Sequence, residues 1–480
     1  MSDELLINSG TGETRVALVE NGLLQEAHIE RANGSSVVGN IYLGKVIRVL
    51  PGMQAVFVDI ALSRSGFLHV SDCSDDREAP EVTSLFHDGQ KVLVQVVKAS
   101  LGAKGARLTT QLSLSSRYLV FNPLSSNIRI SQRIENEQER DRLRSMIDAL
   151  ISETDIRGGF ILRTAAESIG EDELREDMAF LLKRWKTLQE SLVDAPLPSL
   201  VYSDLPLELR VLRDLAGSQV ERIRFDFSES FENALRFVDS YAPELKPRME
   251  LYNGPRPLFD LYGVEDELAK ALRSSVPLKS GGSLVIEQTE AMTTVDVNTG
   301  TFIGSRNLEE TILKTNLEAA TVLARQLRVR NLGGIIIIDF IDMESGGHKR
   351  QVIRALEKAL DRDRAKTMIA EVSTFGVVEM TRKRTSESLE HQLCEACQSC
   401  GGSGRVKTVE TLCFEIFREI IRASSQFESN QILVLGSEAV VGHIQEAPEY
   451  LGKLLEIVGR PIEFKVEPLY LQEQYDIIPI

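Results

Sequence analysis

The segment GGIIIIDFIDM at residues 333–343 constrains the fold more than any other part of the chain. Four consecutive isoleucines cannot alternate between a wet and a dry face. The run therefore predicts a strand buried on both faces, in an α/β layer. A second strand is predicted in EAMTTVDVNTG at 290–300. Side chains alternate along a strand, so Val295 and Val297 share one face while Asp296 and Asn298 share the other. Asp and Asn are depleted in strands, and their presence here marks a place where local preference yields to something else.

Ligand sites in open α/β sheets lie at the carboxyl ends of strands. Asp296 and Asp339 both occupy such ends. On adjacent strands they would stand about 5 Å apart. Two carboxylates that close repel unless a cation lies between them. Mg²⁺ suits the position, since it takes one or two carboxylates together with waters and substrate phosphates. The residues alone leave a plainer reading open, in which Asp339 ends a strand and Asp296 caps a turn. Asp342, three residues further on, points elsewhere and is read as structural.

A chain of 480 residues with 42% hydrophobic content supports two to four domains with sizeable cores. No run of 18 apolar residues occurs, so no membrane anchor is expected, and MSDELLINSGTGETR lacks the pattern of a signal peptide. A cytoplasmic protein is expected. The five cysteines agree, with Cys73 alone and Cys394, Cys397, Cys400 and Cys413 grouped, unlike a secreted disulfide framework. The net charge of −16, taken alone, argues against a nucleic-acid protein, whose binding domains are usually basic. Charge is local, however. The clusters RQLRVR (325–330), HKRQVIR (348–354) and TRKR (381–384) allow a basic groove on an acidic chain.

Residues 1–34 read as two or three strands with a hairpin turn at Asn21-Gly22. Residues 36–118 read as short strands with glycine turns, the pattern of a small Greek-key barrel. A helix is predicted in EDELREDMAFLLKRWKTLQESLVDA from the spacing of Leu174, Met178, Leu181, Leu182 and Trp185. DAPLPSLVYSDLP reads as a connector. The helix NLEETILKTNLEAATVLARQLRVRNLGG is expected to start at a capping box of Asn307 and Glu310 and to stop at glycine. After the cysteines, the helix VETLCFEIFREIIRAS and two strands form a small α+β piece.

EAMTTVDVNTG, NLGGIIIIDFIDM, VVEMTRKR and CQSCGGSGRVKT resemble the ribonuclease E/G family. GNIYLGKVIRVLPGMQAVFVDI and GFILRTAAES extend the resemblance, which runs over the whole chain. The compact length and the ending EPLYLQEQYDI are similar to the family's shorter branch. The resemblance implies a multidomain α/β and α+β architecture. An RNase H-like domain (1–35 and 215–278) carries an inserted OB-fold barrel (36–118) and a 5′-sensor domain (119–214). A DNase I-like catalytic domain (279–393), a zinc-link (394–407) and a small C-terminal domain (408–480) follow.

The resemblance further implies that Asp296 and Asp339 hold Mg²⁺ and that Asn298 orients the attack. The activity implied is cleavage of single-stranded RNA to 5′-phosphate and 3′-hydroxyl ends, in ribosomal RNA maturation and mRNA turnover. Six scattered histidines with no obvious pair argue against a histidine-based route through a cyclic phosphate. Phe57, Phe67 and Lys104 match the family's RNA-contacting residues; the sequence of QAVFVDI alone favours a core position for Phe57, and the resemblance reverses that. Arg163, Thr164 and Val120 match a pocket that senses a 5′-monophosphate, with Ser116 where the family's better-known pocket has glycine. Cys397 and Cys400 would supply two of four Zn²⁺ ligands, the other two coming from a second subunit, so a homodimer or tetramer is expected. An internal site using Cys394 and Cys413 is the alternative, though Cys413 shares a helix face with Ile416, Phe417 and Ile420. A non-catalytic RNA-binding module and a DNA nuclease are the competing functions.

Overall fold

The computed structural model describes residues 3–31, 37–73, 81–100, 105–154, 158–217, 219–300, 308–384, 386–427, 429–446 and 448–480. They form two units, Met1–Gln392 and Leu393–Ile480.

The sheet that carries the acids has the order Ser275–Pro277, Ser283–Gln288, Met292–Asn298, Gly334–Asp339, Val378–Arg382, Thr367–Val372. Only its central pair, Met292–Asn298 with Gly334–Asp339, is parallel. A parallel pair needs a long crossover, supplied here by the helix Leu308–Val329. That helix and Gly346–Leu360 pack on one face of the sheet. Ala319, Ala320, Leu323 and Leu327 meet Leu284, Val295, Val297, Ile336 and Ile338 there.

The isoleucine run departs from the expectation of burial on both faces. Ile336 and Ile338 are fully buried, whereas Ile335 is 49% exposed and Ile337 only half-buried. Among the described residues helices cover one side alone, so four isoleucines in a row mark high strand propensity here rather than burial on both faces. The helix Leu308–Val329 also ends differently than expected. Asn331 takes the left-handed conformation (φ 48°), with Leu332 N–H donating to Leu327 O and Asn331 N–H to Arg328 O. This is a Schellman stop made by Asn, not Gly. Asn307 of the expected capping box lies outside the described residues.

Met249–Leu251, Val220–Phe225, Asp3–Ser9, Glu13–Glu20 and Leu23–Arg31 make a second sheet, so residues near 3–31 and 220–251 share one layer. Asn21 and Gly22 form its two-residue hairpin turn, both with positive φ. The barrel closes because Ile41–Leu50 pairs with Ala55–Asp59 on one edge and Lys91–Lys98 on the other. Five strands complete it, as in an OB-type barrel. The stretch read as a connector contributes the strand Ser199–Tyr202, which pairs with Ile41–Leu50. A four-stranded sheet over 114–162 packs on the helices Glu137–Thr154 and Glu171–Leu192. In the second unit, Ile432–Gly436 lies between Ile462–Val466 and Tyr475–Pro479 beside three helices.

Arginines tie the sheets of the first unit together. Arg328 donates to Glu20 at 3.2 Å and Glu26 at 3.0 Å, and Arg325 to Glu267 at 2.8 Å. Burial raises the Glu26 carboxyl, but His28 and Arg328 outweigh it and hold the group down at about 2. The cluster RQLRVR is therefore no groove lining, since Arg328 and Arg330 are buried. Arg382 of TRKR is buried too, forked onto Asp363 at 2.6 and 3.0 Å. Asp363→Ala leaves that guanidinium without its counter-charge. It should cost about 3–5 kcal/mol of stability, read as a lower urea midpoint with an unchanged slope.

Candidate active site

The register of the central pair sets Asp296 directly opposite Asp339. Positions paired in this way stand roughly 5 Å apart. Both carboxylates are on the face left open by the helices, and both are exposed, as is Asn298. Asn298 Nδ2 donates to Asp296 Oδ2 at 2.7 Å, so the amide fixes one oxygen of the acid and leaves the other without a partner among the described residues. Among the described residues neither acid has an Arg, Lys or His partner, and no cluster of three His, Cys, Asp or Glu side chains occurs. Two carboxylates with no counter-charge fit a hard cation that fills its remaining positions with water and phosphate oxygens. Asp342 is exposed in the following loop, and no hydrogen bond or ion pair among the described residues supports the structural role expected of it.

The loops around the acids are braced by the crossover helix, a feature that spacing alone did not reveal. The fully buried Asn316 accepts from Ile341 N–H at 3.1 Å and donates to Ile341 O at 2.8 Å. Glu318 accepts from the N–H groups of Lys279 at 2.5 Å and Ser280 at 2.9 Å. The turn so held lies close under the Asn298 backbone: a Cβ on Gly282 would stand 2.4 Å from Asn298 O.

Arg163 and Val120 occupy one face of a strand pair. Val120 is opposite Ile161, and Arg163 N–H donates to Tyr118 O at 2.8 Å just past the end of the ladder. The other face, with Leu119, Phe121, Phe160 and Leu162, is fully buried. Arg163 spends two donors internally, on Ser116 O at 2.6 Å and Asp214 at 2.7 Å. Burial raises the Asp214 carboxyl, but its bond to Arg213 and the charge of Arg163 bring it below its ordinary value. Thr164 is exposed, its hydroxyl 2.9 Å from that of Ser131. Ser116 turns inward: its hydroxyl bonds Asp177 and its N–H donates to Leu119 O, so neither faces a ligand. Asp177, on the inward face of the Glu171–Leu192 helix, also accepts from Tyr118 and Leu119 N–H.

On the barrel, Val56, Val58 and Leu68 point inward and are buried, which leaves Phe57 and Phe67 half-exposed outside. The two rings pair edge to face with centroids 5.9 Å apart. The registers extend this pair into a row, Arg48–Phe57–Phe67–Arg107–Lys98. Arg48 and Lys98 are exposed, and Arg107 is forked onto Asp72. This flanking of an aromatic pair by basic groups across strands was not visible along the sequence. Lys104 lies outside the described residues.

In the second unit Cys394 and Cys397 are exposed and Cys400 is half-buried. Backbone N–H groups of Cys400 and Ser399 aim at the Cys397 sulfur and pull its thiol below the ordinary value. Cys413 is buried among Ile416, Ile420 and Val434, with its thiol toward Val440 O at 3.9 Å. A fourfold site of Cys394, Cys397, Cys400 and Cys413 is not assembled.

A sequence profile of the Ribonuclease E/G family matches residues 113–385. The chain is 50% identical to Ribonuclease G of Salmonella typhimurium (strain SL1344) over 490 aligned residues, covering all of both proteins. It is 49% identical to Ribonuclease G of Escherichia coli (strain K12), again over both full lengths. Ribonuclease E of Nostoc sp. (strain PCC 7120 / SAG 25.82 / UTEX 2576) is 40% identical over 380 residues, which cover 78% of this chain and 55% of that one. With full-length identity at this level, the chain belongs to the ribonuclease E/G family.

Proposed function

We propose that this endoribonuclease hydrolyses single-stranded RNA with Mg²⁺ held by Asp296 and Asp339. The observation that carries the reading is the pairing of the two acids on an open sheet face, with no Arg, Lys or His partner for either among the described residues. Bound there, the cation would supply a Lewis acid and a water of lowered pKa. The chain's own groups present the oxygen ligands, and Asn298 holds Asp296 in one orientation. The open face gives an extended strand access. The row of Phe57 and Phe67 flanked by Arg48 and Lys98 suits stacking of bases over a basic edge. The products are a 5′-phosphate and a 3′-hydroxyl, and the substrates are ribosomal RNA precursors and mRNA.

A 5′-monophosphate stimulates the reaction by binding at Arg163, Thr164 and Val120. Supporting this, Arg163 is pinned by Ser116 O and Asp214, which pre-sets its remaining donors for a phosphate. The Ser116 N–H and hydroxyl are taken by Leu119 O and Asp177, so recognition of the terminal base differs here from a glycine-lined pocket. Cys397 and Cys400 bind Zn²⁺ together with the same pair from a second chain, giving a homodimer or a dimer of dimers in the cytoplasm. The inward placement of Cys413 favours the shared site over an internal one. We retain the domain reading, in which 1–35 and 215–278 form one domain carrying the barrel and the sensor as insertions. The single sheet that joins 3–31 to 220–251 supports it.

Asp296→Asn and Asp339→Asn should each lower cleavage of a 5′-monophosphorylated oligoribonucleotide by more than the roughly 10–100-fold typical of losing an outer metal partner. Native-rate cleavage by both variants would sink the metal assignment. Matched RNA and DNA oligonucleotides in the same assay separate a ribonuclease from a general nuclease. Arg163→Gln should narrow the rate ratio between 5′-monophosphate and 5′-hydroxyl substrates while leaving the slower substrate unaffected. For the cysteines, elemental analysis with native mass should give about half a zinc per chain in a dimer. In zinc-free protein, iodoacetamide should modify Cys397 well before Cys413, raised by burial, or Cys73, pushed up to about 11.

A further inference from the structure

We infer that Asn316 is a positioning residue for the catalytic acids, acting through the loop that follows Asp339; the inference rests on the metal reading above. After Asp339 the chain leaves the ladder, and Phe340 and Met343 insert into the core on either side of Ile341 and Asp342. Among the described residues, no strand pairs with Ile341. Asn316 stands in for one: its amide oxygen accepts from Ile341 N–H and its amide nitrogen donates to Ile341 O. Of the common side chains, an amide is suited to making both bonds at once without charge. Buried backbone groups need such partners, and here the partner comes from the crossover helix rather than the sheet.

The same helical turn acts on the other acid. Thr315 is buried, and its methyl would be 3.1 Å from a Cβ on Gly282. Glu318 holds Lys279 and Ser280, in the turn whose Gly281 and Gly282 run close against the backbone at Asn298 and Gly300. One turn of helix, 315–318, thus braces the chain beyond Asp339 with one residue and the chain beyond Asp296 with others. The separation of the two carboxylates is set by adjacent strands; their aim depends on where the chain goes immediately afterward. Asn316 fixes that direction for Asp339.

The test uses the full chain and Mn²⁺ as a probe, following loss of the free-ion electron paramagnetic resonance signal, with binding of an uncleavable oligoribonucleotide and thermal midpoint measured alongside. Asn316→Ala should weaken Mn²⁺ binding by about tenfold or more while metal-free RNA affinity changes less than about twofold. Asn316→Asp keeps the acceptor for Ile341 N–H but faces Ile341 O with a carboxylate, and should also weaken Mn²⁺ binding. Leu323→Ala, a core truncation in the same helix, should lower the midpoint yet leave Mn²⁺ affinity near native. If Asn316→Ala does not fold, Asn316→Asp and Glu318→Gln carry the comparison. Native Mn²⁺ affinity in the Asn316 variants, or equal weakening in Leu323→Ala, overturns the inference. Native Mn²⁺ affinity in Asp339→Asn overturns the metal reading instead.

Discussion

Everything in the candidate site depends on one register, that of two parallel strands pairing Asp296 with Asp339. Parallel pairing puts both carboxyl ends at the same edge, which antiparallel neighbours would not do. It also requires a crossover, and the crossover helix becomes the back wall against which Val295, Val297, Ile336 and Ile338 pack. The four apolar side chains hold the strands; the alternate positions are then free to carry acids. Buried valines and isoleucines take one face of the same short ladder and the exposed acids the other.

The first unit is joined by charge placed inside it. Arg133 donates to the carbonyls of Asp363 and Arg364, Arg364 donates to Asp214 O, and Arg163 closes onto the Asp214 carboxylate. Arg382 meanwhile links Asp363 to Leu332 O, at the foot of the strand that ends in Asp339. The guanidinium's several donors in a fixed plane make such bridging possible. An acidic chain has in this way committed part of its positive charge to internal joints, which explains why clusters counted as basic along the sequence do not all face a ligand.

Strand alternation in MTTVDVN made the acid pair legible, because a period of two assigns each side chain a face without knowledge of the fold. Leu174, Met178 and Leu181 likewise marked a helix face that is buried as the spacing implied. What could not be read was anything created by contact across distance. Asn316 looks like any polar residue in a helix, and its role exists only because Ile341 lies beside it. The row of Arg48, Phe57, Phe67 and Arg107 comes from four separate segments. The isoleucine run misled for a related reason: local sequence reports the preference for extended chain, while the number of covering layers is decided by helices elsewhere.

The alternation of faces has a consequence for how such a chain can change over time. Adding or deleting one residue within Met292–Asn298 would carry Asp296 into the apolar layer and expel a valine, since a shift of one exchanges the two faces. A change of two would keep the faces but move the acid off its partner on the neighbouring strand. Neither parity is harmless, so a change of length costs least in the connections, and the spacing of aspartate and asparagine is a ruler that the ladder cannot lengthen.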